Sequence, residues 1–194
     1  MSKAIGMVEY KTVSAGITAA DTMVKTSAVE VLQASTVCPG KYIVLITGEL
    51  SAVRASVDAA AKNCPEQLTD SFVLGNPHED IFKAIYGGAA VENVKALGVL
   101  ETFSAPSIIV AADTAAKASE VQLIELRIAR GMCGKSYMLL TGTVASVTAA
   151  REKSEMRECC LTARLYPIPI RVSGTAYFKI RNKLTYGTVT ECFR

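Results

Sequence analysis

The chain repeats itself, and this constrains its architecture more than any single motif. Residues 4–9 read AIGMVE and residues 96–101 read ALGVLE. AADTMVKTSAVEVL (19–32) lies over AADTAAKASEVQLI (111–124), and GKYIVLITGELSAV (40–53) over GKSYMLLTGTVASV (134–147). The offset is 92 residues from Ala4 to Ala96 and 94 from Gly40 to Gly134, so the second copy gains two residues near Gly131. Identical Ala-Ala-Asp-Thr and Gly-Lys strings in matched order mark a duplicated unit. The 194 residues are enough for two small domains.

Each copy has the same order of expected elements. In the first, Ile5 to Glu9 reads as a strand and Ala15 to Ser27 as a helix, with Ile17, Ala20, Val24 and Ala28 as its apolar stripe. Val29 to Val37 is a second strand, Pro39-Gly40 a turn, and Tyr42 to Thr47 a strongly apolar third strand. Ser51 to Lys62 is a second helix with Val53, Val57 and Ala61 on one side, and Leu68 to Leu74 a fourth strand. Asn76-Pro77 opens a short helix carrying Ile81, Phe82 and Ile85, and Gly87-Gly88 to Lys95 forms a linker. The second copy follows with strands at Leu97–Glu101, Val121–Ile128 and Ser136–Thr141, and helices at Ser107–Ala118 and from Ser146 onward. Strands alternating with helices predict an α/β fold, one small sheet covered by helices in each copy. After Arg151 the match fades: REKSEMRECC reads as helix, LYPIPIRV as an extended edge because of its alternate prolines, and the last twenty residues match nothing in the first copy.

Half of the residues are hydrophobic, mostly Ala, Val, Ile and Leu, which supports a packed core rather than a disordered chain. The abundance of small residues predicts close internal packing, or surfaces packed against copies of the same chain. The net charge of +3 is less than the +4 carried by residues 171–194 alone, so the basic character is local to the tail. No basic cluster interleaved with aromatics marks a nucleic-acid surface. The longest apolar runs, Tyr42 to Ile46 and Ser107 to Ala112, are far too short to span a bilayer, and residues 1–20 do not read as a signal peptide. Neither nucleic acid nor membrane is therefore an expected partner. The six cysteines (Cys38, Cys64, Cys133, Cys159, Cys160, Cys192) contain no CxxC pair, and without export they are expected to be reduced.

The residues do not read as an enzyme. His78, the one histidine, sits in NPHED at the start of a short helix, where capping is the plainer role. No GxSxG, HExxH or GxGxxG string is present. The run Gly131 to Ser136 lacks the first glycine of a phosphate loop, and its counterpart in the first copy lacks the hydroxyl residue. Glu9 and Glu101 match at strand ends and Asp21 and Asp113 on helices; duplication already explains both pairs, with packing or interface hydrogen bonds as their default roles.

Taken with AIGMVE and the helix carrying AADTMVK, GKYIVLITGELSAV and its counterpart resemble the tandem-domain shell proteins of bacterial microcompartments, of the iron–sulfur type associated with propanediol utilisation. The resemblance covers residues 3 to about 150 and occurs twice. It implies a first shell domain at 3–88, a second at 95–170 that diverges after 151, and a basic tail at 171–194. It also implies a flat homotrimer in which six domains form a pseudo-hexameric tile. The tile would meet other shell proteins laterally in a compartment shell within the cytoplasm. Lys25 and Lys117, matched on the first helix of each copy, would be assembly contacts at the tile edge; a solvated surface lysine is the alternative.

In this family the loop before the Gly-Lys string lines the central pore. Here it comprises Val37, Cys38, Pro39 and Gly40 in one copy and Met132, Cys133 and Gly134 in the other. The resemblance assigns Cys38 as metal ligand, three chains together holding one [4Fe-4S] cluster per trimer, the fourth iron met by water or another ligand. Its implied work is to pass electrons across the shell, or to deliver a cluster to an encapsulated redox enzyme. From the residues alone, a cysteine beside a Pro-Gly turn is also a small packing residue. A cluster-free tile that passes or gates metabolites, and a small-molecule-binding regulatory α/β protein, both remain open.

Overall fold

The computed structural model describes residues 4–87, 95–129, 131–155 and 160–166. The first unit runs β1 (Ala4–Tyr10), α1 (Val13–Thr26), β2 (Val29–Val37), β3 (Lys41–Gly48), α2 (Leu50–Asn63), a 3-10 turn (Pro65–Gln67), β4 (Leu68–Leu74) and α3 (Glu79–Ile85). The second runs β5 (Ala96–Thr102), α4 (Ala105–Ala118), β6 (Val121–Arg127), β7 (Ser136–Gly142), α5 (Val144–Glu155) and β8 (Cys160–Tyr166). The two antiparallel sheets have matched orders, β2-β3-β1-β4 and β6-β7-β5-β8. Their irregularities match as well. The ladder shifts between Val31 and Gln33 in one and between Leu123 and Glu125 in the other, and again between Glu9 and Tyr10 and between Glu101 and Thr102.

Strand alternation assigns the two faces of the first sheet. Ala4, Val8 and Tyr10 turn toward α1 and α2 and pack with Ala15, Ala19, Met23, Val53, Val57 and Ala60. Ile5 and Met7 turn the other way, into a core shared with the second unit. On the helix side, Gly6 lets α2 lie close: a Cβ there would fall 2.7 Å from Val53 Cγ1 and 2.8 Å from Val57 Cγ2. Gly98 is the matched position, with Val147 Cγ1 at 2.8 Å. Valines are stiff at χ1, so Gly6→Ala is expected to destabilise the fold by about 1–3 kcal/mol, seen as a lower urea midpoint at unchanged slope.

Two expectations are corrected. The buried stripe of α1 is Ala15, Gly16, Ala19 and Met23, while Ile17, Val24 and Ala28 are exposed and Ala20 is half-buried. The larger apolar side chains thus lie on the face turned away from the sheet. The helix read through REKSEMRECC ends at Glu155, and Cys160 already lies in a strand. The fourth strand of the second sheet is present: β8 pairs with β5 from Leu97↔Tyr166 to Thr102↔Cys160, as β4 pairs with β1 from Ile5↔Leu74 to Tyr10↔Leu68. Strand β8 is an edge strand, as expected for its last residues, Leu165 and Tyr166. The linker from Gly88 to Val94, Cys159, Cys192, the prolines after Tyr166 and the basic tail lie outside the described residues. Among the described residues, no helix is long and apolar enough to cross a membrane.

The two units share one core. Helix α4 lies against β4 and β1 of the first unit as well as its own sheet, and α3 packs on β6. Ile5, Met7, Phe72, Ile81 and Ala84 from one unit and Ile108, Ile109, Ala112 and Leu123 from the other form a single cluster.

Candidate functional site

Two turns stand side by side where β2 meets β3 and β6 meets β7. The first closes with Gly40 N–H donating to the Val37 carbonyl at 3.0 Å, and Gly40 takes φ +96°, a left-handed conformation that favours glycine. Val37 is buried, whereas Cys38 is an exposed free thiol. In the second turn Lys135 N–H donates to the Met132 carbonyl at 3.1 Å, and Ala129 N–H to Ser136 Oγ at 3.0 Å. Ala129, Gly131, Cys133 and Gly134 all have positive φ, which accommodates the two additional residues.

A hydrogen bond from Cys38 N–H to the Ala129 carbonyl, 3.3 Å, joins the two turns. At Gly134 a Cβ would lie 3.2 Å from Lys41 Nζ and 3.4 Å from the Cys38 carbonyl oxygen, so the second turn sits tightly against the first. The structure thereby brings Val37, Cys38, Pro39 and Gly40 beside Met132, Cys133 and Gly134. Thr36, Val37, Cys38, Pro39, Gly40 and Gly131 line an open depression of about 490 Å³. Cys133 is exposed and free; Cys64 is half-buried against the first core.

These residues can be tested against an iron–sulfur cluster. An exposed thiol without a disulfide is free to ligate soft metal. Among the described residues of one chain, no group of three or more His, Cys, Asp or Glu could hold a metal ion. The described donors of one chain therefore fit such a group only as one contributor among several chains.

Behind the turns lies a cluster that the sequence did not reveal. Lys41, the lysine of the Gly-Lys string, donates from Nζ to Glu9 Oε1 at 3.0 Å, and Glu9 Oε2 accepts from Ala105 N–H at 3.0 Å. Glu9 is fully buried, and burial pushes its carboxyl pKa up against the opposing pull of Lys41 and the Ala105 N–H. Ala105 is the first residue of α4, so this carboxylate also faces a helix N-terminus. Asp70 accepts from Ser104 Oγ and from Ser107 Oγ, the latter at 2.8 Å, and Ser104 caps the helix by accepting from Ser107 N–H at 3.2 Å. The recurrence of the Gly-Lys string was the available signal; the bonds of Ser104 and Ser107 to Asp70 gave none, because they join residues more than thirty apart in sequence.

The remaining matched residues lie elsewhere. Lys117 donates to the Asn76 carbonyl at 2.6 Å and to Asp113 Oδ2 at 2.7 Å, while Asp113 accepts from His78 N–H at 2.9 Å. Asp113 and Lys117 thus bind the backbone of the first unit. Lys25 and Asp21 make the same pair on α1 at 2.6 Å, exposed to solvent. His78 caps α3, its Nδ1 accepting from Asp80 N–H at 3.3 Å.

A family model described as BMC domain matches residues 4–77 and 96–158. The bacterial microcompartment shell protein PduT of Citrobacter freundii is 38% identical over 150 residues, covering 77% of this chain and 82% of that protein. The crystal structure of a microcompartments protein from Desulfitobacterium hafniense DCB is similar at 43% identity and TM-score 0.76, covering 87% of this chain and 96% of the other. The fused permuted hexameric shell protein MSM0275 from the RMM microcompartment shares the fold at TM-score 0.60 and 21% identity, over 79% of this chain and 80% of its own.

Proposed function

This chain belongs to the BMC domain family, and on that premise we propose that three copies close a flat six-domain ring whose central opening holds a [4Fe-4S] cluster on Cys38. The chain is a structural tile of a bacterial microcompartment shell, similar to PduT, and its place is that shell, within the cytoplasm. Other shell proteins are its neighbours.

The observation that carries the cluster reading is the exposed, free Cys38 on a tight turn that the second turn braces. A threefold axis beside this turn brings three thiols to one point, and thiolate sulfur selects iron–sulfur clusters over hard cations. The cluster, when bound, supplies one-electron transfer between the two faces of the shell. The chain's own residues fix where it sits. Gly40 and Gly134 allow the two tight turns, and the Cys38 N–H holds the thiol-bearing loop to the Ala129 carbonyl. Lys41 and Glu9 anchor the start of β3 directly behind it. No chemical step on a substrate is part of this reading. Iron and acid-labile sulfide, measured on protein purified without oxygen and reconstituted, test it. The expected result is one cluster for three chains; intact trimers without iron would instead leave a tile with an open pore.

A further inference from the structure

The two turns are matched in sequence, but their carbonyls do different work. In the first turn the Val37 carbonyl accepts from Gly40 N–H at 3.0 Å, so it closes the turn to which it belongs. Ala129 stands at the matched position of the second copy, 92 residues on. With two additional residues, that turn closes farther along, where Lys135 N–H donates to the Met132 carbonyl at 3.1 Å. The Ala129 carbonyl is thereby released from its own turn and accepts from Cys38 N–H at 3.3 Å, across the boundary between the units. Ala129 is wholly buried and takes φ +48°, a left-handed conformation that disfavours any residue with a Cβ. Ser136 holds it there: the fully buried Oγ accepts from Ala129 N–H at 3.0 Å. The matched position in the first copy is Tyr42, which packs on Gly16 so closely that a Cβ on the glycine would lie 2.4 Å from the tyrosine Cβ. In the second copy the large and small residues have changed places, Ile108 standing for Gly16 and Ser136 for Tyr42. This exchange puts a hydroxyl beside Ala129 where the first copy has a ring.

We propose that the second turn has been converted from a copy of the first into its seat, and that Ser136 is the positioning residue of that seat, holding the Cys38 loop in the shape that retains a cluster. A polar chain carries the effect, from Ser136 Oγ to the Ala129 N–H and from the Ala129 carbonyl to the Cys38 N–H. On the other side of Cys38, its carbonyl oxygen lies 3.4 Å from where a Cβ on Gly134 would stand. The residue is thus gripped through its backbone at both ends while its thiol stays exposed. A ligand held in this way has little freedom left to lose when it binds, and a supporting shell of this kind decides how firmly a metal group is kept. The two copies have therefore divided the work: one turn offers the thiol and the other fixes it. The consequence for cluster retention rests on the cluster reading above; the seat itself does not.

Amide hydrogen exchange on the full chain without iron, read by mass spectrometry on peptides spanning Cys38, tests the seat. Ser136→Ala removes one buried oxygen and leaves the Ala129 N–H without its acceptor. The Cys38 amide is expected to exchange at least about tenfold faster, while the amides of β1 and α2 keep their wild-type rates. Ser136→Thr, which restores a hydroxyl, should return the Cys38 amide to the wild-type rate. After reconstitution with iron and sulfide, Ser136→Ala should lose iron to a chelator about tenfold faster than wild type from the same initial content. Unchanged exchange at Cys38 in Ser136→Ala, or equal acceleration throughout the core, would overturn the positioning role. Should Ser136→Ala fail to fold, wild type carries the test: a Cys38 amide that exchanges as fast as an unstructured peptide would overturn the seat. Faster exchange at Cys38 with unchanged iron release would overturn the link to cluster retention. Faster exchange at Cys38 in a protein that never takes up iron would support the seat and sink the cluster reading instead.

Discussion

Replacing Lys41 with methionine is expected to destabilise the chain by about 3 kcal/mol at neutral pH, because it strips a buried carboxylate of its cation. Lys41 is the cation in hydrogen-bond contact with Glu9, whose side chain is wholly buried while that of Lys41 is 20% exposed. Methionine keeps most of the stem's packing and removes only the charge, leaving the carboxylate with the Ala105 N–H as its remaining hydrogen-bond donor. Burial already holds the Glu9 pKa above its ordinary value of 4.5, and loss of Lys41 raises it further. The sign of the pH dependence follows. A carboxyl whose folded pKa lies above its unfolded pKa takes up a proton on folding between the two values. Its stabilising contribution is complete below 4.5 and is lost as pH rises through the folded pKa. The deficit of Lys41→Met against wild type should therefore be widest at neutral pH and shrink toward pH 4.5. Urea unfolding at fixed protein concentration across that range checks both the size and the slope. An equal deficit at every pH would mean that Lys41 acts through packing alone.

On the proposed reading, Cys38→Ser is expected to bring iron and sulfide content down to background without changing the mass of the assembly. A serine hydroxyl keeps the size of the thiol but is a hard ligand, protonated at neutral pH, and a far weaker one than thiolate sulfur toward cluster iron. Cys38 is exposed at the tip of its turn, and only its backbone N–H is used to brace the loops, so the substitution costs little stability. Cys133→Ser is the matched control. It alters the neighbouring turn without touching the assigned ligand, and iron content should stay at the wild-type level. An electron paramagnetic resonance signal that survives in Cys38→Ser and vanishes in Cys133→Ser would reverse the assignment.

The duplication made the fold largely legible, because matched strings at fixed offsets carry the order of elements and even the ladder irregularities with them. Two features escaped it. The sequences of β4, LTDSFVL, and β8, CLTARLY, share no residue at matched positions, yet both pair with the preceding sheet in the same register. The backbone ladder is the same in both, while the side chains of β4 serve contacts with the second unit, Asp70 to Ser104 and Ser107 and Phe72 in the shared core, which a repeat cannot reveal. The stripe of α1 was misread because Ile17 and Val24 look like core by hydropathy but lie on a face that the chain itself does not cover. A helix that buries small residues against its sheet and carries larger apolar residues on another face is apolar on two sides, and periodicity cannot separate them. The two turns that carry Cys38 and Cys133 are legible through the repeat and the family resemblance. The cluster of Glu9, Lys41, Asp70, Ser104 and Ser107 became visible only when the fold joined residues from opposite halves of the chain.

The central claim is that this chain is a ring-forming tile, and the mass of the purified assembly in solution tests it most directly. Native mass spectrometry with electron microscopy of the same sample should give three chains of 20.6 kDa in a flat ring with six lobes around a central opening. A stable monomer at micromolar concentration, with α1 left open to solvent, would contradict it.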